Sequence, residues 1–119
     1  MNDVRFILAD PDENFRHLVA AFIMASGGRV AAETSRGSEV VWLATCGNPD
    51  AVYLDACLGW EELILTIREL KLRHPHMGIV VASSDVTCRE AAICAGADAF
   101  ILKNGDPAER IVAALSMLL

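Results

Sequence analysis

Asp55 closes the apolar run Ala51-Val52-Tyr53-Leu54, Asp10 closes the largely apolar run 4–9, and Lys103 closes the run 99–102. A fourth run, Ile79-Val80-Val81-Ala82, stops at Ser83. If these runs are strands of one parallel sheet, all four polar residues crowd its carboxyl edge, where open α/β sheets place their chemistry. Two carboxylates, a hydroxyl and an ammonium gathered there describe a site for a divalent cation and a phosphoryl group.

What lies between the runs decides whether they are parallel strands. At 119 residues there is room for one compact domain. The pattern gives five alternations of strand and helix, with no internal repeat or linker. After the first strand, Phe15, Leu18, Val19, Phe22 and Ile23 recur at helical spacing, and Gly27-Gly28 stops the helix before a second strand over 30–33. Ser38-Glu39 opens a short second helix that runs to about Cys46. Trp60, Leu63, Ile64, Ile67 and Leu70 form the stripe of a third helix, broken at His74-Pro75-His76. Thr87-Cys88-Arg89-Glu90 has capping-box spacing before a small-residue fourth helix that ends near Gly96. Asp106-Pro107-Ala108-Glu109 opens a fifth helix, with proline at its tolerated first position. Strands alternating with helices of these lengths imply right-handed crossovers and helices on both faces of the sheet.

Composition narrows the function. The formal charge of −6 and pI of about 4.9 argue against a nucleic-acid surface, which needs clustered Lys and Arg. The longest fully apolar stretch, 18–25, is far short of the roughly 20 residues that span a bilayer. The start, Met1-Asn2-Asp3-Val4, lacks a basic and apolar leader, so the expected compartment is the cytoplasm. Cys46, Cys57, Cys88 and Cys94 form no C-x-x-C pair, and no histidine stands at ligand spacing, so free thiols packed as small hydrophobes are expected rather than a zinc site. His17, His74 and His76 read as solvated. No glycine-rich phosphate loop follows the first strand, which disfavours a nucleotide enzyme.

The segments Phe6-Ile7-Leu8-Ala9-Asp10, Pro49-Asp50-Ala51-Val52-Tyr53-Leu54-Asp55 and Ala95-Gly96-Ala97-Asp98-Ala99-Phe100-Ile101-Leu102-Lys103, in this order and spacing, resemble the receiver domain of two-component response regulators over nearly the whole chain. The resemblance implies one domain over 1–119 with the flavodoxin-like (βα)5 doubly wound parallel sheet, strand order 2-1-3-4-5. By position, Asp55 would accept a phosphoryl group from the phosphohistidine of a sensor histidine kinase or phosphotransfer protein. Asp10, Asp55 and the backbone carbonyl of Cys57 would hold Mg²⁺, with Asp12 as a further candidate ligand. Lys103 would neutralise the acyl phosphate, Ser83 would hydrogen-bond one of its oxygens, and Phe100 stands at the position of a switchable aromatic. No enzymatic activity beyond self-catalysed phosphorylation and dephosphorylation is implied. The partners implied downstream are a separate protein or a fused output domain, with homodimerisation a further option and no direct nucleic-acid or membrane contact.

Each residue has a plainer reading. Asp55 could cap the turn that follows it, Lys103 could be a solvated lysine, Phe100 an ordinary buried aromatic, and Ser84 could stand in for Ser83. Trp42 lies opposite the Val40, Leu43, Ala44 face of its helix, so it is either packed at a rim or exposed to a partner. Two departures from the family pattern matter more. Pro11 stands where the family usually has a second acid, so the Mg²⁺ site is expected to be weak. Leu58-Gly59-Trp60-Glu61-Glu62 follows the acceptor without the family's customary proline. Asp10 and Asp12 could both serve the start of the first helix instead. Two functions therefore stand: a phosphorylation-controlled switch, and a degenerate receiver that acts as a phosphorylation-independent interaction module.

Overall fold

The computed structural model describes residues 3–103 together with 113 and 114. Five parallel strands lie in the order β2-β1-β3-β4-β5. They are β1 (Arg5–Ala9), β2 (Arg29–Thr34), β3 (Ala51–Asp55), β4 (Gly78–Ser83) and β5 (Ala99–Leu102). Between them run α1 (Glu13–Ala25), α2 (Val40–Gly47), α3 (Trp60–Arg73) and α4 (Arg89–Ala95), the last three each preceded by a single 3-10 turn. The fold is flavodoxin-like, as expected. The fifth helix, expected to open at Asp106-Pro107-Ala108-Glu109, lies outside the described residues.

Alternation along the central strands builds two cores from one sheet. Ile7, Ala9, Val52, Leu54, Ile79 and Val81 face α2, α3 and α4, where Ala44, Leu63, Ile67, Leu70 and Ala92 meet them. Phe6, Leu8, Ala51, Tyr53, Val80 and Ala82 face the other way, toward Val19, Ala20 and Ile23 of α1. Because both faces are covered, β1, β3 and β4 are almost wholly buried and read as continuous apolar runs. The edge strand β2 instead alternates exposed and half-buried positions.

Several local expectations are corrected. Leu18 is 40% exposed, and the smaller Ala20 takes its place against the sheet. α4 is not capped by the Thr87–Glu90 box; Asp85 accepts hydrogen bonds from the N–H and hydroxyl of Thr87, and a 3-10 turn intervenes before the helix. Likewise Ser38-Glu39 falls in a 3-10 turn, and α2 begins at Val40. The thiols are free but not packed: Cys46, Cys57 and Cys94 are exposed and Cys88 is half-buried. They stand on short helices and turns, where one narrow face meets the sheet and is filled by other residues. His74 is half-buried rather than solvated, with Nε2 shut off from solvent, whereas His17 and His76 are exposed. Trp42 is 66% exposed, which decides between rim packing and exposure.

Candidate functional site

Parallel register brings the site together. Ala9 pairs with Leu54, so Asp10 and Asp55 leave adjacent strands side by side. Ser83 pairs with Leu102, and the Lys103 N–H donates to the Ser83 carbonyl at 2.9 Å, which starts the lysine side chain from the same edge. β1 and β3 also flank the topological switch point, since the chain leaves β1 for β2 on one side and reaches β3 on the other.

Asp10 and Asp55 are fully buried, and they share one cation. The Lys103 ammonium lies 3.1 Å from Asp10 Oδ2 and in direct contact with Asp55 Oδ2. Each carboxylate spends its other oxygen on the backbone: Asp12 N–H donates to Asp10 Oδ1 at 2.9 Å, and Cys57 N–H donates to Asp55 Oδ1 at 2.8 Å. Asp55 does cap its turn, therefore, but with one oxygen only. Its Oδ2 has no hydrogen bond among the described residues apart from the ionic contact with Lys103. Two buried carboxylates against one ammonium leave an uncompensated negative charge.

Burial and the shared cation together set the electrostatics. Burial raises the pKa of Asp10 above the ordinary aspartate value, with the Asp55 charge adding and Asp12 N–H and Lys103 opposing. Burial alone would lower Lys103, yet hydrogen bonding and attraction to Asp55 and then Asp10 hold its pKa above the ordinary lysine value. Lys103 is therefore not a free solvated lysine; its side chain is only 16% exposed, and its ammonium lies 4.1 Å from the centroid of the Phe15 ring. The Asp55 charge is the first cause of a raised pKa at the exposed Cys57 thiol, which keeps that thiol protonated.

The remaining expected residues are placed as follows. Ser83 is 6% exposed, and its hydroxyl accepts from Asp85 N–H at 3.0 Å, while Ser84 is exposed. Phe100 is half-buried against the core beneath α4. Asp12 is the N-cap of α1, with Oδ1 accepting from Phe15 N–H at 3.2 Å, and Pro11 is exposed just ahead of it. Among the described residues no group of three or more His, Cys, Asp and Glu side chains is arranged to hold a metal ion. The donors that do converge, two carboxylates with an under-used oxygen on Asp55, fit a hard cation that keeps most of its waters.

Two contributors escaped the sequence reading. Arg16, one helical turn after Asp12, donates from its guanidinium to the Asp10 carbonyl at 2.7 Å and to Glu33 Oε1 at 3.1 Å, tying the β1–α1 loop to β2. No spacing along the helix signals this, because the guanidinium bonds the Asp10 backbone and β2 rather than a side chain of α1. Tyr53, inside β3, donates its hydroxyl to Asp10 Oδ2 at 3.3 Å.

A switch-point site of two carboxylates and one lysine on a 2-1-3-4-5 sheet defines a class of signalling domains. The chain belongs to the response regulator receiver domain family, which it matches over residues 6–116. Its fold is similar to that of a LuxR-family two-component response regulator from Aurantimonas sp. SI85-9A1, at 25% identity and TM-score 0.86, covering 98% of this chain and 86% of that one. Chemotaxis response regulator CheY4 of Vibrio cholerae superposes with TM-score 0.85 at 15% identity, covering 99% of this chain and 100% of that one. The isolated receiver domain of RcsB from Salmonella enterica serovar Typhimurium, solved with the phosphomimetic BeF3−, gives TM-score 0.84 at 17% identity over 98% of this chain and 88% of that one. No curated protein matches the chain. No helix among the described residues is long and apolar enough to cross a membrane.

Proposed function

We propose that this receiver accepts a phosphoryl group on Asp55 from the phosphohistidine of a sensor histidine kinase or phosphotransfer protein, and that the charge so acquired switches a protein-interaction face. The observation that carries this reading is the Lys103 ammonium shared by two buried carboxylates. In the transfer, the N–P bond of phosphohistidine breaks as an Asp55 Oδ–P bond forms, and the released imidazole takes up a proton. Asp55 Oδ2, held by Lys103 and by no backbone N–H among the described residues, is the oxygen suited to attack once the ammonium turns to the phosphoryl group. Lys103 would then leave Asp10 and Asp55 for the phosphoryl oxygens, and the Ser83 hydroxyl, which accepts from Asp85 N–H, would donate its own hydrogen to one of them. Phe100, in β5 and half-buried against the core that Ala92 of α4 shares, would carry the change toward α4.

Mg²⁺, when bound, supplies the positive charge that relieves repulsion between the carboxylates and the incoming anion. Asp10, Asp55 and the Cys57 carbonyl are the residues that would hold it. With Asp12 engaged as a helix cap and Pro11 unable to coordinate, its affinity is expected to be millimolar or poorer. The domain would work in the cytoplasm, passing its state to a downstream protein, a fused output domain or a second copy of itself.

Pro11 supports a second reading, a receiver that kept its interaction face and lost efficient phosphorylation. Mass spectrometry after incubation with acetyl phosphate and Mg²⁺ separates the two. One phosphoryl adduct on the native protein, absent from Asp55→Asn, is the result expected of the switch. No adduct favours the interaction module, and an adduct that persists in Asp55→Asn refutes Asp55 as the sole acceptor.

A further inference from the structure

Tyr53 is fully buried within β3, two residues before Asp55, at a position where the packing alone asks only for an apolar side chain. A buried phenol needs a partner for its hydroxyl. Tyr53 pairs with Leu8 across the sheet, and its hydroxyl reaches past that pair to Asp10 Oδ2, at 3.3 Å. That is long for an O–H···O bond, and it is the one hydrogen bond this hydroxyl makes among the described residues. With it, Asp10 is held by three donors: Asp12 N–H on Oδ1, and Lys103 and Tyr53 on Oδ2.

The three donors do not act alike toward a cation. Lys103 attracts Asp10 but repels any second positive charge placed beside it. The Asp12 amide fixes one oxygen and leaves the carboxylate free to pivot about it. Tyr53 adds no net charge, and it restrains the other oxygen from inside the rigid central strand. We propose that Tyr53 is a positioning residue for the cation site, holding Asp10 in the orientation that a divalent ion requires and so offsetting in part the acid missing at Pro11. This rests on the functional reading above. Hydrogen-bonded supports behind metal-ligating side chains typically contribute 10–100-fold in affinity, so the effect is measurable in a weak site.

Tyr53→Phe removes one oxygen and keeps the ring that fills the core. Mg²⁺ and, separately, Mn²⁺ are titrated into both proteins, followed by Trp60 fluorescence and by amide resonances, and the thermal midpoint is measured without metal. The expected result is roughly tenfold weaker binding of either ion by the variant, from the lower end of that range. The Asp12 amide resonance should shift, the amides of β4 should not, and the metal-free midpoint should stay within a few degrees of native. If the native protein binds and Tyr53→Phe binds within twofold of it, the inference is overturned and the proposed function stands. A saturable response absent from the native protein with both ions overturns the cation reading and this inference with it. Weaker binding accompanied by a large fall in midpoint and shifts spread through the core would assign Tyr53 to packing alone and also overturn it.

Discussion

Lys103→Met removes the ammonium shared by Asp10 and Asp55 while keeping most of the side chain's length. Both carboxylates are fully buried. Removing one partner from a buried ion pair costs about 3–5 kcal/mol, because a buried charge is left without compensation. The lysine side chain is 16% exposed, so some solvent reaches the site and the lower end applies, about 3 kcal/mol at pH 7. For a domain of this size that is a fall in thermal midpoint on the order of 10 °C.

The pH dependence gives the sharper test. Asp10 already titrates above its ordinary value, chiefly from burial, and losing Lys103 removes two of the influences that oppose this. A carboxyl whose folded pKa exceeds its unfolded one contributes stability that is fully present below the unfolded value and is lost as pH rises through the folded pKa. The variant should therefore approach the native protein near pH 4 and fall behind progressively toward pH 7, where Asp10 is asked to ionise without the ammonium beside it. Mg²⁺ should restore more stability to the variant than to the native protein, since it meets two carboxylates with no competing ammonium. Urea denaturation of both proteins at several pH values, with and without Mg²⁺, measures all of this. A variant as stable as native at pH 7, or a deficit that widens toward acid, would refute the claim that Lys103 holds these carboxylates together.

Pro11→Asp is expected to tighten Mg²⁺ about tenfold, or about 1.4 kcal/mol, by placing a second acid beside Asp10; tight native binding unaltered by the substitution, in the same titrations, would show that another group already fills that role. Amides of α4 should exchange with solvent faster than those of α1 or α3, because α4 buries only Ala92 whereas α3 buries Leu63, Thr66, Ile67 and Leu70; equal protection in hydrogen exchange would count against it. Gly96→Ala should destabilise by about 2 kcal/mol in thermal or urea unfolding. Gly96 has φ +126°, and an added Cβ would lie 2.8 Å from Lys71 Cγ, displacing the side chain that bonds Asp98 and the Met77 carbonyl.

The carboxyl edge was legible because strand-ending polar residues stand out against apolar runs, and a doubly wound parallel sheet leaves them one common edge. Asp10, Asp55, Ser83 and Lys103 were found in that way. Local starts were less legible where two side chains competed for one cap. At α4 the Thr87–Glu90 spacing looked complete, but Asp85 reaches the Thr87 amide first and winds a 3-10 turn that moves the helix start to Arg89. The thiols misled for another reason. Average burial favours cysteine, yet α2 and α4 are only 8 and 7 residues long, and each turns a single narrow face to the sheet.

What periodicity hides is any polar atom carried on an apolar residue. Tyr53 counts as one more hydrophobe in the run 51–54, and only its pairing with Leu8, two residues before Asp10, shows that its hydroxyl ends at a carboxylate. Arg16 is similar, since its part depends on the distance between α1 and β2 and not on anything along the helix. Both converge on Asp10, the carboxylate next to Pro11. A site that lacks its second acid thus has its remaining one bound at the side chain by Asp12, Lys103 and Tyr53 and at the carbonyl by Arg16. Such restraint gains nothing for a carboxylate that merely starts a helix, because Asp12 already performs that task. It has a use where the orientation of Asp10 toward Asp55 matters, as the proposed phosphoryl transfer requires, and the acetyl phosphate experiment tests that requirement directly.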